Sequence, residues 1–233
     1  LAKGGSCLIS NIARSLDENI KLNYTIDRLC DNLSNMYQEE KEIIWNNYLN
    51  EVSKNIDKEN AIVLFDDSDI NKEYSKKLED LDRVIDGSSQ DKKIVNGYHV
   101  CEATVLSMNN KQPMSIYSKI YSCKSKNFIS KNTYTLESIK AAENMIGEKF
   151  IGVFDRGYDD NKIFKYMSNN KHEFVVRLDD ERTLLFKGKK RSVGEVAKTR
   201  KGKISYKALF DDSEEYELML SYTKATLPAN KEE

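Results

Sequence analysis

Two aspartates stand where short apolar runs stop. The run AIVLF at 61–65 leads straight into Asp66-Asp67-Ser68-Asp69, and KFIGVF at 149–154 leads into Asp155. Runs of this length read as buried strands, and in open α/β sheets functional groups gather beyond the carboxyl ends of strands. Two carboxylates brought together there repel each other unless a cation sits between them. All-oxygen donors suit a hard divalent ion such as Mg²⁺ or Mn²⁺. Two such ions about 3.5–4 Å apart can activate a nucleophile and stabilise the leaving oxygen in phosphoryl transfer. The plainer reading of an Asp after a strand is a turn or helix-capping residue.

Other chemistries have less to work with. His99 and His172 are the only histidines, too few for a His-based triad or a His-rich metal site. Cys7, Cys30, Cys101 and Cys123 form no C-x-x-C pair and no cluster with zinc-like spacing, so scattered, reduced thiols of a cytosolic protein are expected. His99, inside a strand-like run, reads as a satisfied core histidine. Residues 182–207 carry Arg182, Lys187, Lys189, Lys190, Arg191, Lys198, Arg200, Lys201, Lys203 and Lys207 against Glu195 alone, 10 − 1 = +9. Such a field attracts phosphate backbones, though a solvated surface hairpin has the same composition. Arg156 could join that surface or pair with a neighbouring acid. Tyr158 could stack on a base or pack against the helix that follows.

The elements that must position these groups are legible in outline. Three helices are expected over 6–56, with Thr25 as an N-cap. Strands follow at 61–65, 97–108 and 112–122, the last two joined by a turn at Asn109-Asn110-Lys111, with Pro113 opening the second. A helix over 135–147 takes Thr135 and Ser138 as cap candidates and ends at Gly147. The stretch KFIGVFDRG at 149–157 gives a strand that ends on Asp155, and a helix at 159–168 and a strand at 172–178 come next, then short antiparallel strands over 183–222. This order gives a mixed α/β sheet with an antiparallel start and a parallel finish.

Three phrases carry a family resemblance: LFDDSDINKEYSKKLEDLDRVIDGS at 64–88, NGYHVCEATVLS at 96–107 and GVFDRGYDDNKIFKYMSNNKHEFVVRL at 152–178. They resemble DDE-type transposases of bacterial insertion sequences, in the group with a long β-strand insertion in the catalytic domain. The resemblance covers about 61–222. It implies an RNase H-like mixed sheet with flanking helices, an N-terminal helical segment (1–58), the first part of the catalytic core (59–180) and a truncated β-strand insertion (181–233). It also implies a bacterial cytoplasmic protein that meets the nucleoid through DNA, and two Mg²⁺ or Mn²⁺ ions held by Asp, Asp and Glu. Asp66 resembles the first carboxylate: it comes directly off the apolar run and its offset to Ile70 fits the family, although Asp67 and Asp69 stand close by. Asp155 resembles the second.

The family's Glu lies on a helix after the insertion, in a phrase with Tyr, Arg and Lys that is not found here, and Glu232 and Glu233 do not match it. That ligand is expected to lie outside these residues, leaving the chain inactive by itself. Expected partners are the transposon ends and target DNA, met as a homodimer, with Arg156, Lys187, Lys189, Lys190, Arg191, Lys198, Arg200, Lys201 and Lys203 on the DNA. An RNase H-like nuclease, or a non-catalytic DNA-binding remnant of a decayed element, are the alternatives.

Composition agrees with a folded chain. Of 233 residues, 39% are hydrophobic and the net charge is −1, which argues against disorder. No apolar run is long enough for a membrane span, no leader pattern opens the chain, and its first residue, Leu1, is expected to mark a piece of something longer.

Overall fold

The computed structural model describes residues 8–86, 91–109, 111–147, 149–199, 202–211 and 214–222. Cys7, Asn110, Arg200, Lys201, Glu232 and Glu233 lie outside the described residues. The chain divides into two units between Glu51 and Val52.

The first unit holds α1 (Ile9–Leu16), α2 (Leu22–Ser34) and most of α3 (Gln38–Lys54). Thr25 does not cap α2. The helix starts three residues earlier, behind Lys21, and Thr25 is buried within it. Its hydroxyl donates to Glu18, which also pairs with Arg28. Among the described residues no helix is long and apolar enough to cross a membrane.

The second unit is built on a mixed sheet. Its strands are β1 (Ile62–Asn71), β2 (Asp82–Ile85), β3 (Ile94–Leu106), β4 (Pro113–Tyr121), β5 (Ile151–Phe154) and β6 (Glu173–Val176). The order is β2-β3-β1-β5-β6, with β4 also on β3. Gly97 of β3 faces Asn71 of β1 on one side and Asp82 of β2 on the other, and β4 begins its pairing at His99. So β2 and β4 share one edge of β3, end to end. The first four strands pair antiparallel; β1–β5 and β5–β6 are parallel. Two helices make the crossovers, α4 (Lys131–Ile146) from β4 to β5 and α5 (Asn161–Asn169) from β5 to β6. A mixed sheet with these flanking helices is compatible with the RNase H-like fold expected from the sequence.

Alternation along the strands separates two faces. Val63, Phe65, Cys101, Ala103, Val105 and Phe154 are buried with Ile139 and Ala142 of α4 and Ile163, Phe164 and Met167 of α5. Phe65 stacks on Phe154 with ring centroids 4.5 Å apart. On the other face Leu64, Val100, Thr104, Ile151 and Val153 are only half-buried, and Val175 is exposed.

The cap candidates of α4 are corrected too. The helix begins at Lys131 behind Ser130, and Thr135 and Ser138 lie inside it, donating back to the carbonyls of Lys131 and Thr135. The expected helix at 159–168 starts instead at Asn161, capped by Asp160, after a 3-10 turn over Arg156–Tyr158. β2 has no counterpart among the strands expected from the sequence.

A second sheet, β10-β9-β7-β8, follows. It comprises β7 (Thr183–Phe186), β8 (Lys189–Ser192), β9 (Gly202–Asp211) and β10 (Glu214–Tyr222). An unanticipated helix, α6 (Val193–Thr199), separates β8 from β9. The β7–β8 turn places Lys187 and Gly188 at φ 52° and 73°, the twist a two-residue hairpin needs.

Candidate metal and nucleic-acid site

β1 does not end at Asp66. It runs on to Asn71, because the 13-residue β3 continues to pair with it after the shorter β5 has stopped. What stops is the β1–β5 ladder: its last pair is Phe65 with Phe154. Asp66 and Asp155 therefore follow paired residues on neighbouring parallel strands, side by side. Their Cβ atoms take the alternation opposite to Phe65 and Phe154, toward the less covered face. Both are exposed. Asp66 accepts a 2.9 Å bond from the Ser68 hydroxyl, and Asp155 caps the 3-10 turn by accepting from the Gly157 N–H at 2.8 Å. Glu102 stands directly across from Asp66 on β3, adding a third negative charge to that face, where like charges directly opposite disfavour each other.

The neighbouring aspartates are engaged elsewhere. Asp67 accepts from the Tyr121 hydroxyl at 2.9 Å and lies 3.5 Å from the Lys131 ammonium. Asp69 is 2.7 Å from Nδ1 of His99. Tyr158 packs on Phe154 and is 4% exposed. Its hydroxyl is buried with no hydrogen-bond partner among the described residues. Burial first, then Cys101, Asp67, Asp66 and Asp155, push its ionisation far up.

A second cluster has no counterpart in the sequence reading. Asp82, His99 and Cys123 each offer a ligand atom, and these atoms lie within 4.8 Å of one another. It is the only such group of three or more among the described residues. Local spacing could not reveal it, since the three residues come from β2, β3 and the segment after β4. Burial works against the Asp82 charge, but bonds from the Arg83 and Cys123 N–H groups, with His99 beside it, hold its carboxyl below the usual range. Burial and Asp82 raise the Cys123 thiol. The other histidine, His172, is tied to Glu143 at 2.7 Å.

The basic stretch is not one surface. Arg182 turns inward, pairs with Asp159, bonds Asn161 and lies 4.4 Å over the Phe164 ring. Arg156 is half-exposed, 3.9 Å from Asp179. Lys187, Lys189, Lys190, Arg191 and Lys198 are exposed. Lys203 is placed through its backbone in β9. β8 is an edge strand, where charges also discourage strand addition. Alternation puts Lys189 and Arg191 on one side of β8 and Lys190 on the other, so only the first two can face one duplex together. Replacing Lys189 and Arg191 by Ala is expected to reduce the slope of log affinity against log salt by about 1.8, at about 0.9 per phosphate contact. Lys190→Ala should leave it nearly unchanged. Fluorescence anisotropy of a labelled duplex over a salt series measures both.

No family model matches the chain, and no curated protein matches it. Among solved structures it is similar to the "Drosophila P element transposase strand transfer complex", with a TM-score of 0.31 and 8% identity over 83% of this chain and 49% of that one. The chain thus spans about half the length of that relative.

Proposed function

We propose that the chain is the metal- and DNA-binding part of a DDE-type transposase of the insertion-sequence kind. The observation that supports this most is the parallel register of Phe65 with Phe154, which sets Asp66 and Asp155 next to each other on an accessible sheet face. The donors are hard, anionic and mutually repelling, which fits Mg²⁺ or Mn²⁺. Asp66 and Asp155 would hold the ion, and bound ions supply the charge that activates an attacking oxygen and stabilises a leaving one.

The chain's own contribution is positioning. The ladder to β3 fixes Asp66, and the Gly157 N–H fixes Asp155. Lys189 and Arg191 engage the phosphate backbone. In the parent protein, acting as a dimer on two transposon ends, water cleaves a strand to leave a 3′-OH, and that 3′-OH then attacks target DNA. A third carboxylate completes the ligand set there.

A carboxylate pair that meets DNA only through a cation couples the two ligands, and coupling is reciprocal. Mn²⁺ is therefore expected to tighten duplex binding by about 5-fold or more. Asp66→Asn and Asp155→Asn should each abolish that gain while leaving Mn²⁺-free affinity equal or higher. Anisotropy titrations with and without Mn²⁺ decide it. A gain that survives both substitutions contradicts the reading.

A further inference from the structure

We propose that Asp82, His99 and Cys123 form a binding site for a zinc-class divalent cation, separate from the Asp66–Asp155 pair. The donors are a carboxylate, an imidazole and a thiolate, a borderline-to-soft set that selects Zn²⁺ or Co²⁺ over Mg²⁺. Asp82 and His99 are 8% and 9% exposed, while Cys123 is exposed. Three protein ligands thus leave a fourth position toward solvent.

The imidazole is already oriented. A carboxylate can only accept, so His99 Nδ1 donates to Asp69, which leaves Nε2 as the ring atom that would ligate a metal on the other side. Nε2 lies 4.0 Å from Asp82 Oδ2. Ligand atoms of a tetrahedral zinc site are ~3.4 Å apart at ordinary bond lengths, a contraction that small side-chain rotations supply. The carboxylate–imidazole–metal relay is the arrangement that fixes a metal-bound histidine.

A thiol, an imidazole and Asp69 also form the outline of a nucleophilic triad, but Asp82 decides against it. Its carboxylate, within 4.8 Å of the sulfur, opposes an isolated thiolate, whereas two anionic donors beside an imidazole are neutralised by a divalent ion. Bound there, the ion ties the start of β2, the middle of β3 and the segment leading into α4 into one unit. Asp69 is then the residue that aims His99, which accounts for an acidic side chain continuing the buried-face alternation of β1.

The test is a Co²⁺ titration of the full 233-residue chain followed by absorption spectroscopy. One equivalent should give a thiolate-to-cobalt charge-transfer band and the intense visible bands of a four-coordinate site. Zn²⁺ should erase both, and excess Mg²⁺ should not. Cys123→Ser should abolish the charge-transfer band with an unchanged far-ultraviolet circular dichroism spectrum. Asp69→Asn should keep the band but weaken Co²⁺ affinity about 10–100-fold. In the unsubstituted chain, Zn²⁺ should protect Cys123 from alkylation, read by peptide mass spectrometry. No charge-transfer band in the folded chain, a band that persists in Cys123→Ser, or alkylation of Cys123 unaffected by Zn²⁺ would overturn the site. Asp66→Asn and Asp155→Asn leave the Co²⁺ spectrum unchanged, so this inference and the proposed function stand or fall separately.

Discussion

Asp159→Ala is expected to lower the unfolding free energy by about 3–5 kcal/mol, the cost of leaving one member of a buried ion pair uncompensated. The Asp159 and Arg182 side chains are 8% and 13% exposed. Asp159 also accepts from the Asp179 N–H at 2.8 Å. Arg182 bonds Asn161 and covers the Phe164 ring. The pair therefore joins the turn after β5 to the chain entering the second sheet. Removing the carboxylate strands a guanidinium beside Phe164 and orphans a backbone donor. Urea unfolding should show a lower midpoint with an unchanged slope. The double variant Asp159→Ala, Arg182→Met should lose less than Asp159→Ala alone, because no buried charge remains unpaired. If both variants lost the same amount, the pairing would not be the source of the effect.

Gly97→Ala is expected to cost about 3 kcal/mol, the upper part of the range for inserting a methyl into a packed core. A Cβ at Gly97 would lie 2.4 Å from the Ile70 carbonyl oxygen and 2.5 Å from Val84 Cγ2. The first contact is backbone in the paired strand, so a side-chain rotation cannot relieve it. Gly97 is also paired on both edges of β3, with Asn71 and Asp82. The strands must separate to admit the methyl, which loosens Asp82 as well as the core. Thermal unfolding should show the loss, and Gly152→Ala is a useful comparison. Its Cβ meets the side-chain ends of Phe154 and Met167 at 2.8 and 2.9 Å, groups that can move, so its cost should be smaller.

Much of this architecture is legible in the amino-acid order, for reasons that particular residues show. AIVLF and IGVF are continuous apolar runs because their strands lie at the centre of a sheet paired on both edges, and their closing aspartates coincide with the end of the parallel ladder. The extent of β1 is not legible. Asp66-Asp67-Ser68-Asp69 has low strand propensity, and only the long partner β3 keeps it extended. DRVI at 82–85 is hidden for the same reason, being four residues held by β3 alone. Thr25, Thr135 and Ser138 look like caps by type, yet all three are buried within helices, where Thr135 and Ser138 bond a preceding carbonyl and Thr25 bonds Glu18.

Among the basic residues, counting charge cannot tell Arg182, which is folded inward by Asp159, from Lys189 and Arg191 on the edge strand. The Asp82–His99–Cys123 group leaves no trace in the sequence because its members lie 17 and 24 residues apart (99 − 82 and 123 − 99) and meet only through β3 pairing with β2 and β4.

On the proposed function, Asp66 and Asp155 together hold a hard divalent cation. The most direct test is paramagnetic broadening by Mn²⁺ in amide-resolved NMR spectra of the chain preloaded with Zn²⁺. Selective loss of the amide signals around Asp66 and Ser68 and around Asp155 and Gly157 is expected at substoichiometric Mn²⁺, reversed by excess Mg²⁺ and absent in Asp155→Asn. Broadening centred elsewhere, or a pattern that Asp155→Asn leaves intact, would contradict it.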